Sequence, residues 1–149
     1  MKMPLCLLLL SVLGLIQTPA ADTERITYHV QLVRGNNEAK PPDAASKPIG
    51  PRLSNELSRV FAWKSYWEVS RHQVEIRPLT KTKLKLSAER EVEIDLTVPG
   101  KRKVIAYSDG KPVTEITRPV GQKMTIIGGD RDPHSAWFIV VRRDKPSEE

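Results

Sequence analysis

Apolar and polar residues alternate from position 25 to position 34, with Ile26, Tyr28, Val30 and Leu32 on one parity and Thr27, His29 and Gln31 on the other. A period of two over this length predicts a half-buried strand. Gly35 closes it, and positions 36–50 carry Pro, Asn, Ala and Lys with almost no large apolar group. Such a segment buries too little surface to offset its ordering entropy, which predicts a mobile surface loop. The period then changes. Pro51 suits the first position of a helix, where its missing N–H costs nothing. Leu53, Leu57, Val60 and Phe61 recur at helical spacing, and Arg52, Asn55, Glu56 and Arg59 take the opposite face. The helix runs into the densest apolar stretch of the chain, FAWKSYWEV at 61–69, where Trp63, Ser65, Trp67 and Val69 share strand parity. Large aromatic side chains bury about 150–250 Å² each. Phe61, Trp63, Tyr66 and Trp67, joined later by Trp137, are therefore the expected core anchor. Strand, loop, helix and strand in this order form a split β-α-β unit if both strands enter one sheet.

Between 70 and 73 the apolar parity switches from Trp67 and Val69 to Val74 and Ile76, as a bulge or short turn produces. In KTKLKL (81–86) and EVEIDL (91–96) the charges hold one parity and the apolar residues the other. An antiparallel hairpin about 87–90 sets Lys85, Lys83 and Lys81 near Glu91, Glu93 and Asp95, and Leu84 near Val92 or Ile94. Asp109-Gly110 between two β-prone runs signals a type I′ hairpin, and Pro112 and Pro119 place the second run at a sheet edge. Two strands at 123–127 and 137–141 follow. The last is apolar on both parities, so it belongs in the middle of a sheet or between layers. Positions 144–149 read as a frayed, disordered tail. Together these elements define one domain over 25–143 of the α+β class, a mainly antiparallel sheet of about seven strands with one helix packed on it. The alternative arrangement is a β-sandwich with a lone helix.

The N-terminus changes the setting of that domain. Lys2, an apolar run over 5–16, and small residues at Thr18 and Ala20 have the order of a secretory signal peptide cleaved near Ala20, and the run is too short for a bilayer span. The location implied is secreted or periplasmic, with no transmembrane segment after cleavage. Removing 1–20 takes away Lys2 and no acid, so the net charge falls from +6 to +5. It also removes Cys6, the single cysteine. Disulfides, thiol nucleophiles and cysteine-based metal or redox sites are thereby excluded from the exported chain.

Candidate chemistry is sparse. In the connection GGDRDPHS (128–135), Asp130, Asp132 and His134 could present two carboxylates and an imidazole to a divalent metal, although the same residue types also build any tight turn. His29 and His72 are expected to be solvated or locally bonded. The sequence contains no Gly-x-Ser-x-Gly elbow, phosphate-binding loop, dinucleotide fingerprint or His-Glu-x-x-His pair, so no catalytic residue and no cofactor is assigned. Glu91, Glu93 and Asp95 are accounted for by the lysines opposite them. Basic residues remain at Lys101, Arg102 and Lys103, at Arg142 and Arg143 with Lys145, and at Arg52 and Arg59. Lys101, Arg102, Lys103, Arg142 and Arg143 are the candidate polyanion-binding set. The aromatic residues that would stack on bases are assigned to the core, which disfavours nucleic acid.

The layout of LVRG, PIGPRLSNELSRVFAWKSYWEV, GQKMTIIGGDR and WFIVVRR resembles a group of uncharacterised small secreted bacterial proteins, β-rich by pattern. Separately, GQKMTIIGG is similar to the glycine-bounded strand of secretins, the outer-membrane rings of bacterial secretion systems, which implies an accessory role at most. Neither resemblance brings catalytic residues. The expected function is a non-catalytic interaction or structural module of the cell envelope, partnered by another envelope protein or by an anionic polymer or lipid surface. Exposed sheet edges offer strand addition as one mechanism. A metal-dependent hydrolase using the 130–134 loop is the enzymatic alternative.

Overall fold

A computed structural model of the chain describes residues 24–128 and 132–146. The expected signal segment, Asp130 and positions 147–149 lie outside the described residues. The elements run β1 (Ile26–Asn36), β2 (Lys47–Pro48), α1 (Pro51–Ser58), β3 (Ser65–Ile76), β4 (Lys81–Lys85) and β5 (Arg90–Asp95). They continue with β6 (Lys101–Ser108), β7 (Lys111–Pro119), β8 (Met124–Gly128) and β9 (Ser135–Arg142). One sheet has the order β2-β3-β1-β9-β8 and the other β4-β5-β6-β7, every pair antiparallel. The fold is α+β, mostly antiparallel sheet with a lone helix, and its two sheets pack face to face as in a sandwich.

Three layers follow from where the apolar residues lie. Tyr28, Val30 and Leu32 of β1 with Ile139 and Val141 of β9 meet Val92, Ile94, Val104 and Ala106 of the second sheet. On the other face of the first sheet, Val33, Tyr66, Phe138 and Val140 meet Leu53 and Leu57 of α1. A buried leucine contributes about 1.5–3 kcal/mol, so those two side chains hold an eight-residue helix that is too short to persist alone. β9 is interior to its sheet and covered on both faces, which is why its sequence is apolar on both parities.

Several expectations are corrected. β1 is a central strand, covered on both faces, and its polar residue Gln31 is buried. It extends through Gly35 to Asn36, because Gly35 is a close-approach glycine instead of a terminator. A Cβ there would sit 2.8 Å from Trp63 Cδ1 and 3.2 Å from Phe138 Cε2. β1 and β3 are adjacent but antiparallel, so they form no β-α-β crossover. The 36–50 loop is shorter than expected. Asp43 Oδ1 accepts from Ser46 N at 2.7 Å, and Lys47–Pro48 pair with Glu68 and Trp67 of β3. Val60 is 74% exposed, having left the helical face after Ser58. The tail is held at its start, since Asp144 pairs with Arg142 and Pro146 is buried.

Other elements match their patterns. The parity switch in β3 is a bulge that falls just ahead of the expected 70–73 stretch, with Leu32 opposite Ser70 and Val33 opposite Glu68, leaving Val69 as the extra residue. The charged hairpin has Lys81, Lys83 and Lys85 opposite Asp95, Glu93 and Glu91. Its closest ion pairs are diagonal, Lys81 to Glu93 at 3.5 Å and Lys83 to Glu91 at 3.2 Å. Asp109 and Gly110 both have positive φ, 50° and 75°, as a type I′ turn requires. β7, with its two prolines, is the edge of its sheet.

Candidate anion-binding cleft

The aromatic anchor divides between the faces of the first sheet. Phe61, Trp63 and Tyr66 pack on the helix side, Phe61 and Tyr66 with ring centroids 4.5 and 6.1 Å from Phe138. Trp67 is buried and donates its indole N–H to Asn36 Oδ1 at 3.1 Å. Trp137 packs toward the second sheet, with the guanidinium groups of Arg34 and Arg90 each 5.4 Å from its ring. These residues form the core and present no reactive group to solvent.

The metal candidates do not assemble among the described residues. Asp132 Oδ1 accepts from the His134 backbone N–H at 2.9 Å, an Asx turn, and His134 is exposed. Asp130 lies outside the described residues. No group of three His, Cys, Asp or Glu side chains that could hold a metal is present among the described residues.

The basic candidates separate into three environments. Lys101 and Lys103 line a recess of about 220 Å³ on the four-stranded sheet, beside Asp95, Val98 and Thr117. Arg102 points the other way and is fully buried between the sheets, a correction to its place in a surface set. Arg142 and Arg143 lie at the end of β9, next to α1. There a cleft of about 230 Å³ is lined by Arg52, Leu53, Glu56, Gln122, Lys123, Met124, Arg142 and Asp144. A depression of about 430 Å³ shares Arg52, Lys123 and Asp144 with it and adds Gly121 and Arg143.

The geometry of this end follows from the β8–β9 ladder. Met124 pairs with Arg142, and one step further Arg143 N–H donates to Lys123 O at 3.0 Å. Lys123 and Arg143 are therefore direct cross-strand neighbours of like charge, an arrangement that destabilises a sheet. Among the described residues neither makes an ion pair. Arg142 is buried and donates from Nε to Asp144 Oδ1 at 3.2 Å, with a second contact from Nη2 to Oδ2. That hydrogen bonding holds the Asp144 carboxyl below the usual carboxylate range, and Arg52 adds to the effect. His29, opposite Arg142, is lowered from its ordinary value first by burial and then by Lys145 and Arg142. Arg52 has one long contact to Glu56, 4.0 Å. The lining thus brings four cations against two carboxylates, with Leu53 and Met124 as an apolar floor. Such a site attracts and orients an anionic group.

Reading from sequence placed Arg142 and Arg143 in a basic cluster, and it missed Lys123 and the part played by Asp144. The usable signal is register, since a strand pair ending in Lys opposite Arg is visible once 123–127 is matched to 137–143. It also missed the buried carboxylate Glu68. Gln31 Nε2 donates to its Oε2 at 2.6 Å, Arg71 Nε donates to both oxygens at 3.0 Å, and Lys47 lies 3.8 Å away. This cluster ties β1, β2 and β3 together.

Comparison with protein-family models, with curated proteins and with solved structures finds no match to this chain. Gly128 has a local packing reason, because a Cβ there would lie 2.8 Å from Phe138 Cδ1. Among the described residues no helix is long and apolar enough to cross a membrane.

Proposed function

We propose that this chain is an exported, non-catalytic interaction module of the bacterial cell envelope that grips an anionic partner surface at the cleft between α1 and the ends of β8 and β9. The observation that carries this reading is the Lys123–Arg143 pair. Two like charges are set opposite each other at the mouth of a cleft, and among the described residues neither makes an ion pair. Charge placed at a cost to the sheet is accounted for by a ligand that supplies the opposite sign. Arg52 extends the positive surface, and its guanidinium and that of Arg143 suit the paired oxygens of a phosphate or carboxylate, while Arg142 is held by Asp144. The signal-like N-terminus supports export.

Binding to fluorescently labelled polyphosphate, measured by anisotropy at low and high salt, tests the proposal. Affinity falls steeply with salt, because the exposed cations are screened over about 8–10 Å. Replacing both Lys123 and Arg143 by Ala weakens binding about tenfold, as two exposed ion pairs of up to about 1 kcal/mol each imply. Replacing Lys101 and Lys103 by Ala leaves it unchanged. Binding that survives the Lys123 and Arg143 changes overturns the assignment of the cleft.

A further inference from the structure

The edge of a sheet presents unpaired backbone groups, which proteins blunt with charge, proline, a bulge or brevity. Three of the four edges here carry such devices. β2 is two residues long and contains Pro48, and the length of β3 beyond it holds the bulge at Val69 together with Arg71 and Glu75. β4 carries Lys81, Lys83 and Lys85, and β7 carries Pro112 and Pro119. β8 has neither a charge nor a proline between Met124 and Gly128.

The β8–β9 register shows which backbone groups of that edge point outward. Arg143 N–H donates to Lys123 O, so these two residues are a hydrogen-bonded pair. The alternation of an antiparallel ladder then makes Thr125 with Val141 and Ile127 with Ile139 the next such pairs. Met124, Ile126 and Gly128 therefore turn N–H and C=O away from β9, where those groups have no backbone partner among the described residues. Met124 and Ile126 are half-buried and Gly128 is exposed. Lys123, one step before β8, has like-charged Arg143 on one side and, among the described residues, no strand on the other.

We infer that β8 accepts an extended acidic segment of a partner protein as an added antiparallel strand, with a carboxylate of that segment opposite Lys123. This deepens the assignment of the cleft beside α1 and rests on it. Met124, Ile126 and Gly128 supply the alternating backbone donors and acceptors that strand addition uses. Antiparallel addition continues the order of both sheets and puts the acid at the C-terminal end of the segment. Directly opposed residues have Cβ atoms about 5 Å apart. Asp or Glu at that place completes a row of Arg143, Lys123 and carboxylate across three strands, so the charge that strains the β8–β9 pair stabilises the added one. Apolar residues in the same segment cover the half-buried Met124 and Ile126. A polyanion without a peptide backbone satisfies the cations and leaves the outward N–H and C=O groups of β8 unmet.

The probe is a fluorescently labelled synthetic peptide of alternating Thr and Val that ends in two Glu, titrated with the purified protein and followed by anisotropy. Saturable binding is expected. Ile126→Pro removes an outward donor and no β8–β9 hydrogen bond, a place where an edge strand tolerates proline. It weakens the peptide about tenfold, the loss of about one hydrogen bond. Replacing both Glu of the peptide by Gln weakens it about fivefold and flattens its salt dependence. N-methylation of the peptide on alternate residues needs no protein variant and decides the matter if Ile126→Pro does not fold. The set of amides that faces β8 loses binding on methylation, and the set that faces away keeps it. Equal effects of the two sets, or no saturable binding of the parent peptide, overturn strand addition. Polyphosphate that still binds through Lys123 and Arg143 in that case leaves the cleft assignment standing, whereas failure of polyphosphate as well overturns both.

Discussion

Gly35 is the position where one added carbon has the most legible consequence. Replacing it by Ala puts a Cβ 2.8 Å from Trp63 Cδ1, 3.0 Å from Trp63 Cγ and 3.2 Å from Phe138 Cε2. The first two distances lie inside normal contact, and both Trp63 atoms belong to a bulky indole packed on the sheet with Phe61 and Phe138. The ring has to move, and overpacking of this kind costs about 1–3 kcal/mol. An opposing term comes from the unfolded chain, which loses freedom when Gly becomes Ala and so stabilises the fold by about 0.4–1 kcal/mol. The clash wins. Net destabilisation of about 1–2 kcal/mol is expected, read in urea as a lower midpoint with an unchanged slope. The cause is tested by repeating the substitution in a Trp63→Leu background, where the indole is gone. The cost of Gly35→Ala should shrink there by at least about 0.5 kcal/mol, the coupling expected of residues in contact. An Ala variant as stable as the parent, or the same cost in both backgrounds, refutes the packing argument.

Two further predictions concern charge. Glu68→Ala removes the carboxylate that accepts from Gln31 and Arg71, leaving a buried amide and a partly buried guanidinium without it, and should cost about 3 kcal/mol in chemical denaturation. Glu68→Gln recovers part of that loss if the hydrogen bonds matter beyond charge. The pH dependence has two parts. His29, lowered by burial and by Lys145 and Arg142, with Asp144 opposing and Arg71 adding, takes up a proton in the unfolded chain before it does so in the fold. Stability therefore falls as pH drops through about 6.5, and His29→Gln removes that slope. Asp144 is lowered by its hydrogen bond to Arg142, so its contribution is present above the ordinary carboxylate range and lost as pH falls through its depressed value. Asp144→Asn removes this acid-range loss.

Strands whose two faces differ in polarity were readable from the chain alone. The 81–96 hairpin came through in its register because charge and apolar parity agree on both strands, and the Asp109-Gly110 turn because its backbone requires positive φ. β1 misled for a physical reason. Its polar face is partly buried, since Gln31 is satisfied by Glu68 and Val33 on the same face packs with Leu53 and Leu57 of α1, contacts that no local pattern encodes. Gly35 misled in the same way, because a glycine that ends a strand and one that lets a tryptophan approach look alike in sequence. Arg102 was read as one of three surface cations, although Lys101, Arg102 and Lys103 alternate between the two faces of β6, so the middle one points into the core. The cleft was half legible. Arg142 and Arg143 stood out as neighbours, whereas Lys123, Arg52 and Asp144 join them only through the β8–β9 register and the docking of α1.

The central claim is that the cleft beside α1 is where an anionic partner is held. Its most direct test is a titration of the isotope-labelled protein with polyphosphate, followed residue by residue through backbone amide chemical shifts. The account predicts saturable shifts concentrated at Arg52, Gln122, Lys123, Arg143 and Asp144, with Lys101 and Lys103 unmoved. Shifts centred on the Lys101–Lys103 recess, or no saturable shift at low salt, would contradict it.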